Sequence, residues 1–247
     1  MFTTQERDGV RNQVLEWANS DSRVVAAAVV GSLAHQPGDR FSDLDLTFGV
    51  RDEYPISSVL EDWSRRLVSE FDAVHLFDLP AGAALYRVFL LPGCLQVDLS
   101  FAPVSEFGAI GPQFRLLFGA AVDKPFPPAP DPRQLFGYGV HHAVRARVCI
   151  ERTRYWQAEY WMSGVRDYAL TMACVRLGLP AHYGRGFDGL PADIRNVAAG
   201  ALVASADRHE LLRALRRGTE LLLAEGGTAA VRAPQVSERL LDFISMD

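Results

Sequence analysis

The chain has 247 residues, which is enough for one large domain or two small domains with a buried core. Hydrophobic residues make up 49% and charged residues 22%, an ordinary globular composition. The longest apolar run, residues 24–30, is too short to cross a bilayer, and MFTTQERDGV lacks the apolar core of a signal peptide. The cysteines are odd in number and widely spaced, which favours reduced thiols. We therefore expect a cytoplasmic protein without a membrane partner.

The charge is distributed unevenly between the two halves of the chain. Residues 1–125 carry 10 basic and 17 acidic side chains, whereas residues 126–247 carry 15 and 13. The difference favours two domains with different roles. Neither half has the basic excess of a general nucleic-acid binder, so a nucleic-acid partner is not expected.

The first half alternates between helical and strand-like patterns. Apolar residues at helical spacing predict a helix over 4–19, and the continuous apolar run predicts a buried strand over 23–30. After a Gly- and Pro-containing loop, DLDLTFGV alternates polar and apolar residues as a strand does. A second helix is predicted over 57–71. Three further strands are predicted over 73–78, 84–91 and 94–101, separated by Pro- and Gly-containing breaks.

The second half begins after a proline-rich segment. VDKPFPPAPDPR, residues 122–133, has five prolines and cannot form regular helix or sheet interior. We expect domains over 1–122 and 134–247, joined by a linker over 123–133. One or two long helices are predicted over 134–178, followed by a loop and by helices over 192–203, 207–225 and 234–245. The predicted fold class is α+β, a small mixed β-sheet domain followed by an all-helical bundle.

The residues with the clearest chemical meaning lie in the first half. Gly31-Ser32 follows the first predicted strand, where glycine lets a phosphate approach the backbone and the hydroxyl and amides can bind it. Asp43 and Asp45 are two residues apart on a strand, so both carboxylates point from one face. Such a pair repels itself without a cation, and Mg²⁺ prefers these ligands. Asp98, on a later strand, would complete a cup for two metal ions of the kind used in phosphoryl transfer.

These motifs together resemble the DNA polymerase β nucleotidyltransferase superfamily. The resemblance covers roughly residues 24–101 and rests on Gly-Ser, a spacer of ten residues, the D-x-D strand and the later strand LQVDLSF. It implies that Gly31 and Ser32 bind the triphosphate, that Asp43, Asp45 and Asp98 bind metal, and that Asp98 helps to activate the acceptor hydroxyl. The cofactors implied are Mg²⁺, in two sites, and an NTP, for which ATP is the first choice.

The second half resembles the helical domain of aminoglycoside and lincosamide nucleotidyltransferases. The resemblance rests on ERTRYWQAEYWMSGVRDYALTMACVRLGLP and RGFDGLP. It implies acceptor contacts, a carboxylate base and a cationic phosphate contact in this half. Glu159 and Asp167 are the alternatives for the base, Asp98 could serve alone, and Arg166 is the candidate phosphate contact. Aromatic residues at helical spacing here are equally compatible with a packed core.

The sequence therefore favours a magnesium-dependent enzyme that transfers a nucleoside monophosphate from an NTP to a hydroxyl of a small molecule. An antibiotic is one such acceptor, and resistance would follow from its modification. Two alternatives stay open. The acceptor could be a macromolecule, tRNA or protein, as in nucleotidylating toxins, or the chain could be a non-catalytic nucleotide-binding module. Exposed edge strands are also compatible with a homodimer.

Overall fold

The computed structural model describes residues 1–35, 38–229 and 233–245. The chain divides into two compact units, Met1–Pro127 and Pro128–Asp247. This division falls inside the proline-rich segment, where proline fixes the backbone and removes amide donors from regular structure. The units are an α+β domain and a helical domain, and the predicted fold class is confirmed.

The first unit is built on a single mixed sheet. Its strand order is β3-β4-β5-β2-β1-β6, in which β2 and β5 are parallel and the other neighbours are antiparallel. The parallel pair needs a crossover, which α2 and the β3–β4 hairpin supply. The elements in chain order are α1 (Thr4–Ser20), β1 (Val24–Val30), β2 (Leu44–Val50), α2 (Ile56–Phe71), β3 (Val74–Ala81), β4 (Ala84–Leu91), β5 (Leu95–Pro103) and β6 (Phe114–Phe118).

The core of this unit lies on one face of the sheet. Helices α1 and α2 pack there through Val14, Trp17, Trp63 and Leu67, all of which are buried. A capping box at Thr3 begins α1, where the Thr3 hydroxyl accepts from the Glu6 amide. Because strand side chains alternate, the residues between the core positions point to the opposite face. That second face carries the polar residues of β2 and β5.

The structure differs from the sequence predictions at two strands. The edge strand β6 was not predicted, because its short segment is partly exposed and does not alternate clearly. β3 continues through Pro80 to Ala81 instead of ending at 78. Proline is tolerated there because β3 is an edge strand, so one side of its backbone needs no donor.

The regular secondary structure of the second unit, in its described residues, consists of helices. Its helices are α3 (Pro132–Glu151), α4 (Tyr155–Leu177), α5 (Ala192–Ala199), α6 (Arg208–Ala229) and α7 (Ala233–Ser245). Small residues such as Ala143 on α3 and Ala169 on α4 let the helices approach closely around Leu215 and Leu222 of α6. Within the described ranges of the chain, no helix has both the length and the apolar character needed to cross a membrane.

Candidate active site

The candidate site lies on the sheet face that α1 and α2 leave uncovered. Side chains on this face form rows that run across the strands, because directly paired residues project to the same side. The central row consists of Asp45 on β2, Asp98 on β5, Val88 on β4 and Phe77 on β3. This row therefore changes from polar at β2 to apolar at β3.

The three predicted carboxylates share this face. Asp45 and Asp98 are register partners on the parallel strands β2 and β5. Asp43 lies directly before β2, and its carboxylate is close enough to Asp98 to raise the pKa of that group. Gln96 Nε2 donates to Asp98 Oδ1 at 3.0 Å. Burial, and secondarily the Asp43 carboxylate, hold the pKa of Asp98 above its ordinary value despite that hydrogen bond.

The Gly31-Ser32 turn lies directly against this carboxylate group. The backbone enters a short 3₁₀ turn, Gly31–Leu33, with Gly31 at φ +69°. A Cβ at Gly31 would lie 2.2 Å from Asp45 Oδ2, so only glycine fits beside this carboxylate. Ser32 is exposed at the same turn. The turn is thus suited to bring a phosphate ligand next to Asp45.

Contacts from the approach to β6 hold this turn in place. The Gly31 amide donates to the Gln113 carbonyl at 3.2 Å. His35 Nε2 donates to the Pro112 carbonyl at 2.8 Å, and Arg115 Nε donates to the Ala34 carbonyl at 2.7 Å. Because both ends of the turn are hydrogen-bonded to β6 or to its approach, its geometry is fixed before any ligand binds.

A buried arginine fixes the loop that leads into Asp43. Arg7 of α1 is 2% exposed, and its Nη1 donates to the carbonyls of Asp39 at 2.7 Å and Ser42 at 3.3 Å. The Ser42 hydroxyl donates to Asp39 Oδ1 at 3.1 Å. A charged donor that satisfies two loop carbonyls in the protein interior restricts the positions the loop can take. Arg7 is therefore a positioning residue for the first carboxylate.

The same sheet face contains a shallow cavity of about 140 Å³ next to the carboxylates. Thr47, Tyr86 and Ala102 line it. Thr47 and Tyr86 belong to the row next to that of Asp45, and Ala102 belongs to the row after that. Burial, and secondarily the Asp45 carboxylate, raise the pKa of the Tyr86 phenol. Lys124, at the cavity, is paired with Glu106 at 2.9 Å.

The carboxylates have the chemistry that a Mg²⁺ site requires, although no such site is preformed. Among the described residues, no group of three His, Cys, Asp or Glu side chains is placed to hold a metal ion. Asp45 and Asp98 nevertheless bring hard oxygen donors to one face, and Asp43 lies directly before β2, close to Asp98. The chemistry of these carboxylate donors therefore fits a magnesium ion.

The other predicted site residues lie in the second unit, on α4. Ser163 Oγ donates to Glu159 Oε1 at 2.7 Å. Arg166 pairs with Asp167 at 2.9 Å, so the candidate phosphate contact and one candidate base neutralise each other. On the same helix, Trp156 is 80% and Tyr160 66% exposed, which shows that these two aromatics are not core residues. The functional roles of Glu159, Asp167 and Arg166 stay predictions.

The sequence analysis missed Arg7, Ser42 and Tyr86. For Arg7 a pattern was available, because an arginine shared the helical face of Val10 and Val14, where a charge needs a buried partner. Ser42 and Tyr86 had no comparable pattern, since their relevance follows from loop geometry and from cross-strand register.

Comparisons with known proteins add little to this site. No protein-family model matches the chain, and no curated protein matches it in sequence. Among solved structures, the chain is similar to an aminoglycoside 6-adenyltransferase from Bacillus subtilis, with 13% identity, a TM-score of 0.44 and full coverage of both chains. At that identity and TM-score the likeness does not establish the fold or the activity.

Proposed function

We propose that this protein is a nucleotidyltransferase, which moves a nucleoside monophosphate from an NTP to a hydroxyl of a small molecule and releases pyrophosphate. The observation that carries the proposal is the pairing of Asp45 with Asp98 on one sheet face, beside the Gly31 turn. ATP is the first choice of NTP. An antibiotic is a candidate acceptor, since its modification would confer resistance.

The residues of the chain divide the work of this reaction. The Gly31-Ser32 turn would bind the β- and γ-phosphates through the Ser32 hydroxyl and backbone amides other than that of Gly31, which donates to Gln113. Asp43, Asp45 and Asp98 would hold Mg²⁺, which supplies charge stabilisation for the phosphate oxygens when it is bound. Asp98 would also help to activate the attacking hydroxyl. Glu159 and Asp167 remain alternative bases.

The activity can be tested directly with purified full-length protein. It would be incubated with Mg²⁺, each NTP in turn, and a panel of hydroxylated antibiotics and metabolites, while pyrophosphate release is measured. We expect release that depends on both an NTP and an acceptor. Asp43→Ala and Asp98→Ala should abolish it, because each removes a metal ligand and leaves charge unbalanced.

A matched control is available at the far end of β2. Asp52 is an exposed aspartate whose carboxylate accepts from Ser105 and which lies outside the carboxylate group. Asp52→Ala should therefore retain activity. Full activity in both Asp43→Ala and Asp98→Ala, with unchanged circular dichroism, would refute the proposed function.

A further inference from the structure

The strand order places the Gly31-Ser32 turn and Asp98 on opposite sides of β2. The Gly31-Ser32 turn follows β1, which lies on one side of β2, and Asp98 belongs to β5 on the other side. In phosphoryl transfer the attacking and leaving oxygens are roughly in line. If pyrophosphate leaves toward the turn, the acceptor hydroxyl approaches from the opposite side. It therefore lies over β5, and the rest of the acceptor lies over β4 and β3.

The β3 part of that surface is apolar and exposed, whereas Val88 of β4, which lies between β3 and Asp98, is 5% exposed. On β3, Val74, Phe77 and Leu79 project from the carboxylate face and are 58%, 54% and 56% exposed. We call these three residues the apolar strip. Their β4 partners on the same face are Leu90, Val88 and Tyr86. None of these six positions, all within the described residues, carries a charge. A contiguous exposed apolar patch beside a polar site is typical of a ligand-binding surface.

The charged residues of the β3–β4 hairpin lie on the other face. Asp78 binds Arg87 at 2.6 Å and His75 at 3.0 Å, and Arg87 reaches Glu61 and Ser64 of α2. A β-bulge between His75 and Phe77 permits this segregation, because it brings His75 and Asp78 to the same side. The hairpin thus offers no carboxylate to a cationic ligand on the face of the apolar strip.

We propose that the apolar strip binds the apolar part of the acceptor, and that the acceptor is an amphipathic molecule. Its reacting hydroxyl lies at Asp98, and an uncharged, apolar part extends across β4 to β3, over about 10 Å at two strand spacings. A polycationic acceptor does not fit this surface, because it would lose hydration over uncharged side chains. The inference rests on the proposed function and specifies the class of its acceptor.

A second copy of the chain is a less suitable occupant of this edge. Pairing of two β3 strands would need a regular row of backbone donors and acceptors. The bulge at Leu76 and the missing amide of Pro80 interrupt that row. The exposed side chains of the strip are therefore better explained by a small ligand than by strand addition.

The test uses simple probes that need no knowledge of the natural acceptor. The probes are 1,2-propanediol, 1,2-hexanediol and 1,2-octanediol. They share the same 1,2-diol group and differ only in the length of an apolar chain. Their dissociation constants would be measured by saturation-transfer NMR with full-length protein, Mg²⁺ and an ATP analogue with a methylene α–β bridge. We expect the affinity to rise by about fourfold per added methylene until the chain spans the strip.

Variants locate the effect on the protein. Phe77→Ser and Leu79→Ser change exposed side chains and should flatten the chain-length dependence, with octanediol binding about tenfold weaker. Leu202→Ser, at a leucine that is 54% exposed in the second unit, is the matched control and should leave it unchanged. Equal affinity for all three diols in the wild type would overturn the proposal, as would a dependence that survives both substitutions together.

Two further readouts separate this proposal from the others. Calorimetric binding of the Mg²⁺-bound ATP analogue tests the proposed function alone. Retained analogue binding without any chain-length dependence would refute only the acceptor class, whereas absent analogue binding would refute the nucleotidyltransferase itself. Sedimentation velocity reports the competing occupant. A wild-type dimer that becomes monomeric in Phe77→Ser would identify the strip as a subunit interface and overturn the proposal.

Discussion

Replacement of Arg7 by methionine tests whether one buried side chain supports the candidate site from outside it. The substitution keeps an unbranched side chain in α1 but removes the donor to the Asp39 and Ser42 carbonyls. A hydrogen bond from a charged group contributes about 1.5–3 kcal/mol, and the 3.3 Å bond to Ser42 belongs at the weaker end. The variant no longer has the desolvation penalty of a buried guanidinium, which offsets part of this loss of stability. We expect the free energy of unfolding to fall by about 2 kcal/mol.

The assay is urea denaturation of full-length protein, with pyrophosphate release measured in parallel. Because the freed loop leads directly into Asp43, we expect turnover to fall by about tenfold or more. Arg11→Met is the matched control, since Arg11 lies one turn further along α1 and pairs only at the surface, with Asp8 at 3.3 Å. It should change stability by less than about 0.5 kcal/mol. Equal effects of the two substitutions would refute a specific role for Arg7.

Three further predictions concern Gly31, Asp98 and Asp21. Gly31→Ala should lower the free energy of unfolding by about 1–2 kcal/mol, because alanine disfavours φ +69° and its Cβ would contact Asp45. Thermal denaturation measures this, with Ser32→Ala as the control, and equal melting temperatures of the two variants would contradict it. Asp98→Asn should raise the melting temperature of metal-free protein at pH 7 while abolishing turnover. The folded pKa of Asp98 is raised, so stability falls as the pH rises from the unfolded pKa through the folded pKa, and the loss is complete above the folded pKa; an unchanged or lower midpoint would count against this. The pKa of Asp21 is lowered to about 2, chiefly by the hydrogen bond from Arg23. The ionised Asp21 therefore stabilises the fold above the unfolded pKa, and this stabilisation is lost as the pH falls from about 4 to 2. Asp21→Asn should remove that part of the acid-unfolding curve, and an identical curve would exclude the linkage.

The sequence by itself determined the elements and the local motifs. Hydrophobic periodicity located α1, α2 and the central strands to within a few residues, because period and propensity depend on near neighbours. Gly31-Ser32 and the alternation of Asp43 with Asp45 were also local patterns. The α+β class followed from the order of these elements along the chain. The short edge strand β6 could not be predicted, because its residues lack a clear local pattern.

Only the tertiary structure decided what those motifs meet. The pairing of Asp45 with Asp98 depends on the register of two parallel strands joined by a long crossover, which no local pattern specifies. Arg7 reaches the loop before Asp43 across more than thirty residues of sequence. The polar-to-apolar order from Asp98 to Phe77 likewise exists only when β5, β4 and β3 are laid side by side. Backbone hydrogen bonds between distant segments set these relations, and they place the carboxylates beside the apolar strip.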